Sequence, residues 1–330
     1  MTVPVCLVPW PRVSVVIPAL NEARNLPHVF VQIPPTVYEV ILVDGHSVDD
    51  TVAVARQLWP GVRVVAQNRS GKGNALACGF AAATGDIIAM IDADGSADPG
   101  EIPQFVRALL TGADFAKGTR TGEGGGSEDI TRLRQAGNRL LSLLFNACYQ
   151  TRYTDLCYGY NVFWRRCLPA LSLDSTSPPR AGEDGRLWGD GFEIETLIHI
   201  RVAKSGLKVT EVSSFEHSRI HGVSNLSAFS DGMRVLRTIF AERRRARGHV
   251  VASVPVTEIP AADLPAAVSA MGAVAASVAH SAVTHSAVTH SAAADVASAA
   301  VSQVRDIAGA VIPHQVRVEQ GEPVLAGQAE

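Results

Sequence analysis

Two aspartates one residue apart, Asp92 and Asp94, end the apolar run in IIAMIDADGSADP, residues 87–99. Residues 87–91 have the pattern of a strand buried on both faces. Side chains two apart on an extended chain point the same way, so the two carboxylates are expected to converge on one point. Such a pair is a clamp for a hard divalent cation, Mg²⁺ or Mn²⁺, which takes oxygen ligands and keeps positions open for substrate phosphates. The same letters also spell an acidic turn capping the next helix, because Asp, Gly, Ser and Pro all favour turns.

Other expected strand ends carry what a nucleoside diphosphate needs. Asp44 and Glu22 can accept from a base or from ribose hydroxyls, and Lys72, in Ser70-Gly71-Lys72-Gly73, adds positive charge at a helix start, although a solvated lysine beside a turn is the commoner explanation. No GxGxxG follows the first strand and no GxxxxGK[ST] occurs, which removes support from dinucleotide oxidoreductase and P-loop phosphotransferase chemistry. Arg120 at a strand end, Arg132 or Arg134 after a glycine-rich loop, and Arg219 in SRIHGVSN are the candidates for holding an anionic acceptor against an anionic donor. A hydroxyl acceptor would instead need a carboxylate to take its proton, with Asp190, Glu193 or Glu195 as the place to look. Glu193 and Glu195 are two apart on an expected helix, so at most one aims into a site.

These groups need a scaffold, and the chain spells one. Apolar strands are expected at residues 13–17, 39–43, 63–66, 87–91 and 115–117, alternating with helices of about ten residues. Ser47, with Asp50 three residues on, resembles a capping box for the helix through Leu58. Alternation of this kind predicts an α/β fold with a mainly parallel sheet sandwiched by helices, and in such sheets ligands bind beyond the carboxyl ends of the strands. After the glycine-rich loop 122–127, residues 131–149 read as an amphipathic helix with Leu133, Gly137, Leu140, Leu141, Leu144, Phe145 and Cys148 on one stripe. Packing of that stripe on the sheet is favoured over a membrane-surface role. A strand at 158–164, an irregular insertion at 173–188, a helix at 192–205, a strand at 208–212 and a helix at 226–247 with an arginine-rich tip complete the folded part.

Composition bounds the remainder. The 330 residues, 47% hydrophobic and 18% charged with a net charge of −3, imply no nucleic-acid partner. Five cysteines without a CxxC pair indicate neither a disulfide framework nor a zinc knuckle, and fit a reducing cytoplasm. Residues 1–12 are expected to be an extended lead-in and not a signal peptide. Residues 13–248 form the expected domain, with a nucleotide-binding half at 13–120 and an acceptor-side half at 121–248. From 249 to 330 the chain is rich in Ala, Ser and Val and is expected to be a disordered or loosely helical tail. Its uncharged stretch 264–294 is too polar for a membrane span. His280, His285 and His290 step about 140° around a helix and would not share a face for metal binding.

The segments VVIPALNEARNLP, ILVDGHSVDDT, GKGNALACGFAAATGDIIAMIDADGSADP and FAKGTR resemble the family 2 inverting glycosyltransferases of GT-A fold, most closely the polyprenyl-phosphate (dolichol-phosphate) mannose or glucose synthase branch. The resemblance covers residues 13–237, with CYGYNVFWRR and the stretch from Gly189 to Asn225 similar to acceptor-side motifs. It implies a nucleotide-sugar donor, a divalent metal on Asp92 and Asp94 flanking Ala93, and nucleotide contacts from Pro18, Ala19, Asn21, Glu22, Asp44 and Ser47. Arg120 and Arg219 stand at family positions. Two departures stand out: Asp44-Gly45 replaces a pair of aspartates, and Ser96 replaces a glutamine near the metal. The expected activity is hexose transfer to polyprenyl phosphate, with peripheral contact at the inner membrane face. The alternatives are a soluble or polysaccharide hydroxyl acceptor, a sugar-phosphate nucleotidylyltransferase, whose GxGTR-type loop is absent, or an inactive binding protein of the same fold.

Overall fold

In the computed structural model the chain runs β1 (Val13–Ala19), α1 (Leu26–Phe30), β2 (Glu39–Asp44), α2 (Thr51–Leu58), β3 (Arg63–Ala66), α3 (Lys72–Ala82), β4 (Ile87–Met90), α4 (Ile102–Leu110), β5 (Phe115–Thr119), β6 (Gly126–Ser127), α5 (Arg132–Tyr149), β7 (Asn161–Trp164), α6 (Leu168–Leu171), α7 (Ile194–Lys204), β8 (Val209–Ser213), β9 (Phe215–Glu216) and α8 (Ala228–Arg244). The structure describes residues 10–179, 186–222 and 228–245. The expected tail, residues 1–9 of the expected lead-in and residues 180–185 of the expected insertion lie outside the described residues.

Seven strands form one sheet in the order β3-β2-β1-β4-β7-β5-β8. All neighbours are parallel except β7, which runs antiparallel to both β4 and β5. Period-two alternation assigns the apolar side chains to the two faces. Val13, Val15, Ile17, Val40 and Leu42 pack beneath α1 and α4, whereas Val16, Ile41, Val43, Ile88 and Met90 pack beneath α3 and α7. Burial on both faces is why these strands read as continuous apolar runs. A third cluster joins α5, α7 and α8 through Phe145, Ile200, Val235 and Ile239.

Several expected boundaries shift. β4 ends at Met90, and the strand expected over residues 158–164 contracts to Asn161–Trp164. The capping box before α2 is not formed: Asp50 is the N-cap and makes no side-chain capping bond, because Ser47 is engaged elsewhere. The α5 stripe also divides. Phe145 is buried and Leu141, Leu144 and Cys148 pack against it, but Leu133 and Leu140 are 76% and 68% exposed. The helix turns only its C-terminal half into the core.

Helix α3 lies unusually close to the sheet because residue 79 is glycine. A Cβ there would stand 2.4 Å from Val16 Cγ1 and 2.8 Å from Val43 Cγ2, inside van der Waals contact with two rigid β-branched side chains. Gly79→Ala is expected to lower stability by about 1–3 kcal/mol through overpacking. Thermal unfolding should show a midpoint a few degrees lower, and an unchanged midpoint would mean that the helix can ride up without cost.

Candidate active site

The carboxyl ends of β1 and β2 are zipped together by polar side chains. Asn21, in the left-handed region at φ 57°, accepts from Val48 N through Oδ1 at 2.9 Å, while its own N–H donates to Ser47 Oγ at 3.0 Å. Ser47 N donates to Asp44 Oδ1 at 3.2 Å, and Glu22 N donates to Thr51 Oγ1 at 2.9 Å. Pro18 and Ala19 lie opposite Val43 and Asp44 in the strand register. The residues expected to contact a nucleotide from these two strands therefore form one continuous rim.

Beside that rim stands the aspartate turn. Because β4 ends at Met90, Asp92 and Asp94 are not aimed by strand alternation, as the sequence suggested; they stand in a turn with Gly95 at φ 79°. Ser96 braces the turn: its N–H and Oγ both donate to Asp94 Oδ1, at 2.9 and 2.7 Å. Asp94 Oδ2 accepts from Arg219 at 2.7 Å. Asp92 meets Lys72 Nζ at 2.7 Å, and Ala93 between them is buried. Burial raises the Glu22 carboxyl above its ordinary range despite a hydrogen bond from Asn25, and the charges of Asp94 and Asp92 raise it further. Glu22, Asp92 and Asp94 thus share one electrostatic neighbourhood, into which Arg219 reaches, 4.0 Å from Glu22. Among the described residues no three His, Cys, Asp or Glu side chains are grouped to hold a metal ion.

Lys72 is a half-buried bridge and not a solvated lysine. Its Nζ donates to Glu195 Oε1 at 2.6 Å as well as to Asp92. Burial alone would lower its pKa, but the two carboxylates outweigh burial and hold it above its ordinary value. Asp190 and Glu193 have other work. Asp190 takes a bidentate contact from Arg69 at 2.7 and 2.9 Å and a third hydrogen bond from Leu187 N, all in a buried setting. Glu193 Oε1 accepts from Gly189 N and Gly191 N at 3.2 and 3.3 Å. These bonds fasten the loop before α7 onto the start of α3. There a Cβ on Gly73 would lie 1.8 Å from Gly189 O, so only glycine fits.

Arg120 is likewise engaged. Asp155 accepts from its Nε and Nη2 at 2.7 and 2.8 Å, Glu216 from its Nη1 at 2.9 Å, and its guanidinium lies 5.0 Å from the Tyr158 ring centroid. Asp155 also accepts from Asn138 of α5 at 2.7 Å, and its backbone carbonyl accepts from the buried Lys117 of β5. Burial would raise the Asp155 carboxyl, yet Arg120 and Lys117 hold it down at about 2. Sequence reasoning misses both Asp155 and Glu216; the one local signal is for Asp155, an acidic residue directly before LCYGYNVF, residues 156–163. Arg120 lines a cavity of about 100 Å³ with Ser127, Gln135, Asn138 and Arg139. Arg139, not Arg132 or Arg134, is the second arginine there. Arg132 is exposed on the first turn of α5, and Arg134 pairs with Asp129 at 3.5 Å.

Residues 14–169 match the family model described as Glycosyl transferase family 2. This stretch is similar to family 2 glycosyltransferases. It contains the Asn21–Ser47 rim, the aspartate turn, Lys72 and Arg120, whereas Asp190, Glu195 and Arg219 lie beyond it. An uncharacterized glycosyltransferase of Mycobacterium tuberculosis is 46% identical over 108 residues, 33% of this chain and 48% of that protein. The match therefore spans about half the length of that curated relative. The dolichol-phosphate mannosyltransferase of Pyrococcus furiosus is 36% identical over 126 residues, 36% of each chain. Among solved structures, glucosyl-3-phosphoglycerate synthase from M. tuberculosis in complex with Mn²⁺, UDP-glucose and phosphoglyceric acid superposes with a TM-score of 0.54 at 26% identity, covering 76% of this chain and 84% of that one. The sheet with its flanking helices is the GT-A fold, as the family 2 resemblance implied.

The Arg120–Asp155 pair generates a stability prediction. Asp155→Ala leaves a buried guanidinium short of its bidentate partner and should cost about 3–5 kcal/mol, measured by urea unfolding. The sign of the pH dependence follows from a folded pKa near 2, below the ordinary carboxylate value. The contribution of Asp155 is present in full above about pH 4 and fades as pH falls toward 2. Acid titration of the wild type should therefore lose more stability over that interval than the same titration of Asp155→Ala; parallel curves would show that Asp155 adds nothing.

Proposed function

We propose that this chain is a metal-dependent inverting glycosyltransferase that moves a hexose from a nucleoside-diphosphate donor to an acceptor whose attacking oxygen is already anionic. The observation that carries the proposal is the convergence of Asp92, Asp94, Glu22, Lys72 and Arg219 beside the Asn21–Ser47 rim. Two carboxylates suit Mg²⁺ or Mn²⁺ when phosphate oxygens complete the coordination, and the M. tuberculosis structural neighbour is in complex with Mn²⁺, UDP-glucose and phosphoglyceric acid. A cation on Asp92 and Asp94 would supply charge neutralisation at the departing diphosphate. The chain's own contribution is the positive charge of Lys72 and Arg219 at the same place, with Asn21, Glu22, Asp44 and Ser47 binding the nucleotide and Pro18 and Ala19 shaping its floor.

The state of the carboxylates supports the acceptor class. Asp190 is consumed by Arg69, Glu193 by backbone amides and Glu195 by Lys72, which supports an acceptor that needs no general base. A phosphate meets that requirement, with Arg120 and Arg139 beside the cavity as its cationic neighbours. Polyprenyl phosphate is the form we favour. Leu133, Leu140 and Leu143 on α5 and Met233 and Phe240 on α8 are 76%, 68%, 67%, 52% and 42% exposed. They alternate with exposed Arg132, Arg139, Arg237 and Arg244, a combination suited to peripheral contact with an anionic cytoplasmic membrane surface. Among the described residues no helix is long and apolar enough to cross a membrane. A soluble phosphorylated acceptor is the second reading, favoured by the phosphoglyceric acid in the structural neighbour.

The test is incubation with Mn²⁺ or Mg²⁺, labelled nucleotide sugars, and either short-chain polyprenyl phosphate or 3-phosphoglycerate. Label should enter one of the two products, and Asp94→Asn should reduce turnover by about 10²–10³-fold. Transfer to neither acceptor, with label passing instead to a neutral sugar hydroxyl, would reject the anionic-acceptor proposal.

A further inference from the structure

Residues 217–222 lie across the aspartate turn as a strap. His217 N donates to Ser96 O at 2.8 Å, Ile220 N to Asp94 O at 3.4 Å, and Asn25 Nδ2 to His221 O at 3.2 Å. The Ile220 side chain rests on Gly95, where a Cβ would stand 2.7 Å from its Cδ1. From the middle of the strap Arg219 sends its guanidinium to Asp94 Oδ2 at 2.7 Å. The Asp94 side chain is only 9% exposed, so it requires a counter-charge, and the strap supplies one.

Resting on the metal-dependent reading above, we infer that Arg219 is a built-in substitute for the divalent cation at Asp94, and that cation binding and release of the strap are one exchange. A divalent ion coordinating Oδ2 would sit about 2.0–2.5 Å from the oxygen that now accepts from the guanidinium, and the two cations repel. They therefore take turns. The asymmetry with Lys72 supports the assignment. Lys72 is anchored from its far side by Glu195 at 2.6 Å and keeps a partner if Asp92 turns away. Among the described residues Arg219 has only Glu22 at 4.0 Å as an alternative, and its strap is held by the three hydrogen bonds above, by one from Ser218 N to Glu128 Oε2 at 3.1 Å, and by a side chain, Ile220, that is itself 39% exposed. Segments with so few buried contacts open at low cost. Release would turn a structural arginine into a guanidinium available to an anion. The metal and donor would then bind before the acceptor.

The experiment measures Mn²⁺ binding directly, by calorimetry or by electron paramagnetic resonance of free Mn²⁺, without nucleotide and on full-length protein. Arg219→Gln should bind Mn²⁺ roughly tenfold more tightly than the wild type, the loss of one charge-assisted hydrogen bond from the competing state. Ile220→Ala removes no charge, loosens only the strap, and should also tighten binding, by roughly threefold. In the wild type, Mn²⁺ with UDP should speed hydrogen exchange at the His217 and Ile220 amides. Equal Mn²⁺ affinity in all three proteins, or tighter binding in Arg219→Gln alone with the amides still protected, would overturn the exchange while leaving the metal-dependent reading intact. Absence of Mn²⁺ binding by every protein, with or without UDP, would reject that reading and the exchange with it.

Discussion

The contact between Asp94 and Arg219 is the interaction on which the rest of the site depends. A carboxylate with most of its surface removed from water is costly unless a positive group stands against it. The turn that carries Asp94 is already braced by Ser96, so its second oxygen has a fixed position, and the guanidinium must come to it. Bringing it there draws residues 217–222 over the aspartate turn and against Glu22 and Asn25 after β1.

The same logic recurs at three other cations around the site. Lys72 is shared between Asp92 and Glu195, Arg69 is matched to Asp190, and Arg120 is divided between Asp155 and Glu216. Apart from Lys72–Asp92, each pair joins a residue up to position 120 to one supplied after residue 150. Buried ion pairs add little net stability over apolar contacts of the same shape, but breaking one is expensive. They therefore act here as registration devices, fixing where the α7 loop, the 217–222 strap and the end of β5 stand relative to the sheet. The glycines at 73 and 95 serve the same end, since they let backbone and side chains approach where a Cβ would intervene.

Engagement of the carboxylates also orders the chemical possibilities. The acidic residues best placed by sequence to act as a base are the ones whose oxygens are already occupied by arginine, lysine or backbone amides. Among these residues the cations are paired and the carboxylates engaged, and it is this pairing that the proposed anionic acceptor rests on.

The primary structure by itself determined the sheet, its mainly parallel character and the side of it on which the site lies. These follow from local, repeating constraints: β-branched apolar runs of four to seven residues, turn formers at their carboxyl ends and helices between them. The Asn21–Ser47 rim and the aspartate turn were legible for the same reason, since Asn21, Glu22, Asp44, Ser47, Asp92 and Asp94 all stand within a few residues of a strand end. Strand alternation was the wrong reason for grouping the two aspartates, because β4 stops at Met90 and the turn takes over. Only the tertiary structure decided which charges are paired. Lys72 meets Glu195 across 123 residues and Arg69 meets Asp190 across 121, separations at which no local pattern in the chain carries information. The α5 stripe shows the converse: a helix periodicity specifies an apolar face, but how much of that face finds a partner is settled by where α7 and α8 come to rest, and here they cover only its C-terminal half.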